Sequence, residues 1–208
     1  MKYKLIIFDF DGTLADTFPF VLSIMDQVID KYGLKRINPG EIEMLRGYDT
    51  RKIMKHLGVP LWKAPVIGRH ALRLLAKEIH RLALFEGVEQ LLQSLSSKGI
   101  QLAIVTSNSY GNVRRILGPE NAALIQYYEC GVPLFGKQAK LRKVLKKSGI
   151  APGEAICIGD EIRDIQAAQK AKIPFGAVAW GFTKMEALRA QSPSVVFASV
   201  AEMEEKIT

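Results

Sequence analysis

Apolar residues recur along this chain at two spacings, and the points where the spacing changes divide it into a core and an insertion. The chain opens on a short unbroken apolar run, Leu5-Ile6-Ile7-Phe8, followed at once by Asp9-Phe10-Asp11-Gly12. A run this short that ends on a turn signal reads as a buried strand. From Asp16 to Tyr32 the spacing lengthens: Val21, Leu22, Met25, Val28 and Ile29 recur at helical intervals, and Gly33 supplies the stop. Three further helices are predicted, at Glu41–Leu45 behind Pro39, Thr50–Leu57 before Gly58, and Ala64–Leu84. No strand pattern interrupts this block.

From Glu86-Gly87-Val88 onward the two spacings alternate. Helix is predicted over Val88–Lys98, Asn112–Leu117, Ala139–Lys147, Asp164–Lys172 and Val200–Ile207, and strand over Leu102–Val105, Ala155–Ile158, Phe175–Ala179 and Val195–Ala198. Such alternation belongs to a parallel sheet covered by helices. The expected fold class is α/β: a doubly wound, Rossmann-like parallel-sheet core made of residues 1–15 and 85–208. An all-helical domain, residues 16–84, is inserted after the first strand.

With 208 residues and 48% hydrophobic content the chain has enough material for a sizeable core. No apolar run approaches the roughly 20 residues that cross a bilayer, and Met1-Lys2-Tyr3-Lys4 precedes too short an apolar stretch for a signal peptide. The expectation is a cytoplasmic protein, monomer or homodimer, with no membrane partner. Cys130 and Cys157 make neither a disulfide framework nor a zinc spacing, and Cys157, inside Ala155-Ile156-Cys157-Ile158, reads as a small packed residue. The formal charge of +8 raises nucleic acid as a partner. Arg46 to Leu82 carries nine Lys or Arg against two acids, a net of +7, yet only Tyr48 and Trp62 as aromatics. A single-strand binder interleaves more rings than that. Two readings stay open for the segment, a solvated helix face and an electrostatic funnel for a small anion; nucleic acid is not expected.

The chemistry sits at strand ends, where parallel sheets bind ligands. Asp9 and Asp11 close the first strand, and two such acids repel each other and lose water on burial. A hard cation such as Mg2+ between them relieves that repulsion and leaves an oxygen of Asp9 free to act as nucleophile. The alternative is an Asp-Gly turn and nothing more. Thr106-Ser107-Asn108 follows the second core strand and offers donors suited to phosphoryl oxygens, or ordinary helix capping. Gly159-Asp160-Glu161-Ile162-Arg163-Asp164 follows the third core strand. There Asp160 completes an oxygen cage, and Asp164, one turn on, serves the metal's shell or holds a cation in place. Capping accounts for one acid in this run and poorly for three. Phe135-Gly136-Lys137-Gln138-Ala139-Lys140 places a lysine before a helix, within reach of both acid clusters.

In this order the motifs resemble those of the haloacid dehalogenase-like hydrolases, and within them the phosphoglycolate phosphatase-like branch, over essentially the whole chain. Asp9-Phe10-Asp11-Gly12-Thr13 is similar to the family's first signature and Val105-Thr106-Ser107-Asn108 to its second. Lys137 resembles the family lysine, Gly159-Asp160 through Asp164 the last signature, and Val178-Ala179-Trp180-Gly181 a late strand end of the branch. The resemblance implies a Mg2+-dependent phosphatase acting on a small phosphorylated metabolite such as a phosphoglycolate-like monoester, with the helical insertion as a mobile cap. It implies that Asp9 becomes an aspartyl phosphate and that Asp11 is general acid and then general base. Mg2+ is then held by Asp9, the Asp11 carbonyl and Asp160, with Asp164 supporting the shell or orienting Lys137. Thr106, Ser107 and Asn108 bind the phosphoryl group. The family's usual Lys-Pro pair is missing, so Lys137 and Lys140 compete for the lysine role, with Lys137 favoured because it precedes the predicted helix, and Glu86 stands where relatives often carry Pro. Arg46, in a loop between cap helices, is the expected contact for an anionic leaving group. The competing functions are a phosphosugar mutase of the same superfamily and a non-catalytic phospho-acceptor or binding module.

Overall fold

The computed structural model describes residues 2–133 and 136–207; Phe135, which opens the expected lysine stretch, lies outside them. The chain runs β1 (Leu5–Phe8), α1 (Phe18–Tyr32), α2 (Ile42–Leu45), α3 (Thr50–His56), α4 (Ala64–Lys77), α5 (Val88–Ser97), β2 (Gln101–Val105) and α6 (Tyr110–Ala123). It continues β3 (Tyr127–Glu129), α7 (Lys137–Ser148), β4 (Ala155–Gly159), α8 (Ile162–Ala171), β5 (Phe175–Val178), α9 (Met185–Arg189), β6 (Val195–Phe197) and α10 (Val200–Ile207). The strands form one sheet in the order β3-β2-β1-β4-β5-β6, and each neighbouring pair is parallel. The winding direction reverses at β1, so a crevice opens beyond its carboxyl end, between the loops that follow β2 and β4.

Alternation along β1 explains the two-sided core. Ile6 and Phe8 pack on one face with Leu91, Leu92 and Leu95 of α5, Val113 of α6 and Met203 of α10. Leu5 and Ile7 point the other way, to Leu141 and Val144 of α7, Ile165 of α8 and Leu188 of α9. All four β1 side chains are buried, as an unbroken apolar run in a central parallel strand requires. Cys157 is buried in the second of these layers, and both cysteines are free. Among the described residues no helix is long and apolar enough to cross a membrane.

Residues 16–84 contain helices α1–α4 and no strand of the sheet among those described. The chain leaves and re-enters the core through paired backbone: the Asp16 N–H donates to the Ala83 carbonyl at 3.0 Å and the Phe85 N–H to the Leu14 carbonyl at 2.9 Å. These bonds tie the two ends of the insertion together directly above the end of β1. Here α4 stops at Lys77, short of the expected Leu84, because the chain takes a separate turn at Ile79–Arg81 before Ala15 pairs with Leu84. Further on, α6 runs past the expected stop at Leu117. Gly118 takes a non-helical conformation (φ 73°, ψ 166°) that accommodates Pro119, and the helix resumes to bury Asn121 and Ala122.

Candidate active site

The loop after β1 is folded by its own backbone. Leu14 and Ala15 N–H groups both reach the Phe10 carbonyl at 2.9 Å, and the Gly12 N–H reaches the Ala15 carbonyl at 2.9 Å. Gly12 sits at φ +74°, and a Cβ there would fall 2.5 Å from Asp160 Oδ2. Asp160, at the end of β4, is fully buried and accepts from Thr13 Oγ1 at 2.7 Å and from the Phe182 N–H at 2.8 Å. A Cβ at Gly181 would lie 2.1 Å from that of Asp160. Two glycines thus let two loops close on one carboxylate.

Lys137 opens α7, where Gly136 precedes it as the cap residue. Its buried ammonium lies 2.9 Å from Asp9 Oδ2 and donates to Asp164 Oδ1 at 2.6 Å. Asp164 is held in the first turn of α8, its Oδ2 accepting from the Glu161 N–H at 3.3 Å. Lys140 points elsewhere, to Glu129 at 3.0 Å. Asp9, Asp160 and Asp164 each bring one carboxylate oxygen within 4.8 Å of the others. Burial pushes Asp9 up to about 7 despite Lys137, and it drives Asp160 upward together with repulsion from Glu161, Asp9 and Asp164. At Asp164 burial is outweighed by Lys137 and then Arg163, which hold it below the ordinary carboxylate range. Burial at Lys137 is likewise outweighed by Asp164 and Asp9, so the amine stays charged. A trio of oxygen donors, two of them driven toward protonation, fits a hard divalent cation such as Mg2+.

Asp11 stands apart from the trio. Its two carboxylate oxygens accept from the Asn108 side-chain amide at 3.0 and 3.2 Å. Asn108 is fixed in turn: its Oδ1 accepts from the Ser109 N–H at 2.8 Å and from the Asn112 amide at 3.1 Å, while its own N–H donates to Thr106 Oγ1 at 3.0 Å. Burial raises Asp11 to about 6, moderated by the Asn108 bond. Thr106 and Asn108 are buried and Ser107 between them is half-buried, so the loop after β2 lies against the loop after β1.

Arg46, the expected contact for a leaving group, is bonded within the protein. Its Nε donates to the Phe182 carbonyl at 3.1 Å, one terminal nitrogen to the Gly181 carbonyl at 3.0 Å and the other to Glu43 at 2.9 Å; its guanidinium also lies 5.2 Å from the Phe18 ring centre. The Lys184 N–H returns a bond to the Arg46 carbonyl at 2.9 Å. This arginine ties the insertion to residues 181–184, the loop whose Phe182 amide holds Asp160. Four participants were not assigned a part from the sequence: Thr13, the Phe182 amide, Glu161 and Arg163. Thr13 lies inside the first motif and Arg163 is a lone cation among acids, so both had a signal. A backbone amide has none.

Comparison with known proteins identifies the family of the chain. Residues 6–178 match the family described as haloacid dehalogenase-like hydrolase. A phosphoglycolate phosphatase of Synechococcus elongatus is 30% identical over 204 residues, covering 98% of this chain and 96% of that protein. One from Escherichia coli O157:H7 is 25% identical, covering 95% and 90%. A solved haloacid dehalogenase-like hydrolase of Streptococcus pneumoniae shares the fold, with a TM-score of 0.81 at 21% identity over 100% of this chain and 99% of that one. CbbY of Rhodobacter sphaeroides, solved with phosphate, does so with a TM-score of 0.74 at 20% identity over 97% and 96%. With its sheet, its strand-end acids and its lysine in these positions, the chain belongs to the haloacid dehalogenase-like hydrolases, as a phosphoglycolate phosphatase-like member.

Proposed function

We propose that this phosphoric monoester hydrolase releases phosphate from a small, phosphoglycolate-like phosphomonoester in two steps, with Mg2+ as cofactor. Asp9 attacks phosphorus, forming a bond from its carboxylate oxygen as the bond to the leaving oxygen breaks. Asp11, raised to about 6 and therefore able to carry a proton near neutrality, gives that proton to the leaving alkoxide. It then takes one from the water that hydrolyses the aspartyl phosphate, and Asp9 is restored. Lys137 counters the charge of Asp9 and of the transferred group, and Asp164 holds the lysine in place. Thr106, Ser107 and Asn108 supply donors to the phosphoryl oxygens once the substrate displaces their mutual contacts. Asp9, Asp160 and Asp164 are the side chains that would hold Mg2+, with the Asp11 carbonyl as the further oxygen the family resemblance implies. Bound there, the ion screens the nucleophile's charge from the incoming phosphoryl group. The helical insertion acts as the cap that excludes water from the reacting centre.

One observation carries this reading: the acids are divided into a trio around Lys137 and a separate Asp11 on Asn108, which gives nucleophile and proton carrier different environments. The test is phosphate release with Mg2+ by the Asp9→Asn variant. Release is expected to fall by at least about a thousandfold with the fold intact by circular dichroism. Undiminished release removes Asp9 as nucleophile and the mechanism with it.

A further inference from the structure

An open cleft of about 560 Å³ separates α3 of the insertion from α7 and α8 of the core. Arg51, Lys52, Lys55, Lys137, Arg163 and Lys170 line it against one acid, Asp49, so its charge is strongly positive. Lys137 also touches Asp9, so the cleft runs up to the proposed nucleophile's own partner. Arg163 is the arginine on this path that Glu161 orients. One terminal nitrogen meets Glu161 Oε1 at 2.5 Å, while its Nε is buried and has no hydrogen-bond partner. Its side chain is 19% exposed, and a guanidinium donor withdrawn from water without an acceptor is costly. Glu161 fixes the guanidinium from one side and is itself approached by Thr50 of α3 at 3.5 Å, so the insertion and Arg163 meet at the same carboxylate. Arg46, the arginine that the sequence suggested for the leaving group, has its three nitrogens engaged with Gly181, Phe182 and Glu43.

We propose that Arg163 is a specificity-determining residue that receives a second anionic group, a carboxylate or a phosphate, carried on the alcohol side of the substrate. The proposal rests on the phosphatase reading above and adds to it the class of leaving group. A planar donor fork, already oriented by Glu161, suits an oxyanion better than the lysines around it do. The basic walls gather a substrate carrying about three or four negative charges and steer its ester end toward Lys137 and Asp9. The rival role for Arg163 is charge balance for the buried acids, which affects every substrate alike.

Three substrates that share one phosphoryl-oxymethyl unit separate these roles: 2-hydroxyethyl phosphate, 2-phosphoglycolate and ethylene glycol bisphosphate. With Mg2+ present, the wild-type enzyme is expected to favour one of the two doubly anionic substrates, chiefly through KM. Because Arg163 also helps to hold Asp164 charged, Arg163→Gln should cost every substrate some rate, but its loss in kcat/KM for that substrate should exceed its loss for 2-hydroxyethyl phosphate by about tenfold or more. The substrate losing more names the group as carboxylate or phosphate. Equal losses on all three overturn the proposal while leaving the phosphatase reading in place. Phosphate release from none of them by the wild-type enzyme overturns that reading, and this one with it. If Arg163→Gln fails to fold, Arg163→Lys carries the same comparison: it keeps the charge, gives up the fork, and should lose selectivity for the doubly anionic substrate in the same direction.

Discussion

Two sets of buried carboxylates hang from the same edge of the sheet, and α7 supplies lysines to both. Glu129 ends β3 and is met by three amines: Lys140 and Lys147 at 3.0 and 2.9 Å, and Lys143 at 2.8 Å. Burial acts to raise its pKa, yet the three lysines outweigh that and bring it down to about 2. In the trio of Asp9, Asp160 and Asp164, the one amine of Lys137 meets Asp9 and Asp164, and there Asp9 is pushed up to about 7. The difference lies in how much positive charge each cluster has been given. A surplus of lysines makes Glu129 a structural anchor of α7 on β3, whereas a shortage leaves the strand-end trio with affinity for a cation and for an electrophile. Burial of a carboxylate does not by itself indicate function; the balance of its partners does.

The sharpest way to break this contrast is to truncate Lys137, which the sequence favoured, and its competitor Lys140 in turn. Lys137→Met should lower phosphate release by about a thousandfold, since it leaves Asp9 and Asp164 without their shared partner. Lys140→Met should stay within about twofold of the parent, because two amines remain on Glu129. Equal losses in the two variants would make α7 a single electrostatic unit.

These lysines also show where reading the chain reached its limit. Most of the expected helices and strands agree with the observed elements because long apolar periodicities mark them, and the acid motifs were legible because each follows a strand directly. Lys137 and Lys140 lie one helical turn apart at a helix start, and only the packing of α7 on β3 decides which faces Asp9. That strand was itself missed: Tyr127–Glu129 is three residues long, too short for any period, and is a strand only through its pairing with Ala103–Val105. Arg46 was correctly placed in a loop between insertion helices, but its partners Gly181 and Phe182 are backbone carbonyls more than 130 residues away, which no local pattern records.

A second contrast concerns pH. Asp9, Asp11 and Asp160 have folded-state pKa values above the ordinary 3.8, so between about pH 4 and 7 the folded, metal-free protein binds protons that the unfolded chain releases. Stability from these groups is present at low pH and is lost as pH rises through the folded values. The Tm of the metal-free protein should therefore fall from pH 5 to pH 8. Mg2+ at about a hundredfold its Kd should restore about 5–10 °C at pH 8 and less at pH 5, where protons compete for the same oxygens. A metal-free Tm that climbs across this range would mean that the trio is not short of positive charge.

The Glu129 cluster should give the smallest effect, and with the opposite dependence on pH. Glu129→Gln removes the charge that three amines share, but each of those lysines is a third to a half exposed and can turn to water. The cost should be about 1 kcal/mol, or about 3 °C in Tm, with phosphate release per folded molecule within about twofold of the parent. Because the folded-state pKa of Glu129 lies near 2 and its ordinary value is 4.5, its contribution is nearly constant between pH 5 and 8. It is lost only as pH falls through 4.5 toward 2, the direction in which the active-site acids gain. A Glu129→Gln deficit that grows between pH 5 and 8, or that carries a loss of activity, would show that the two clusters communicate through α7 and that the anchor belongs to the site it flanks.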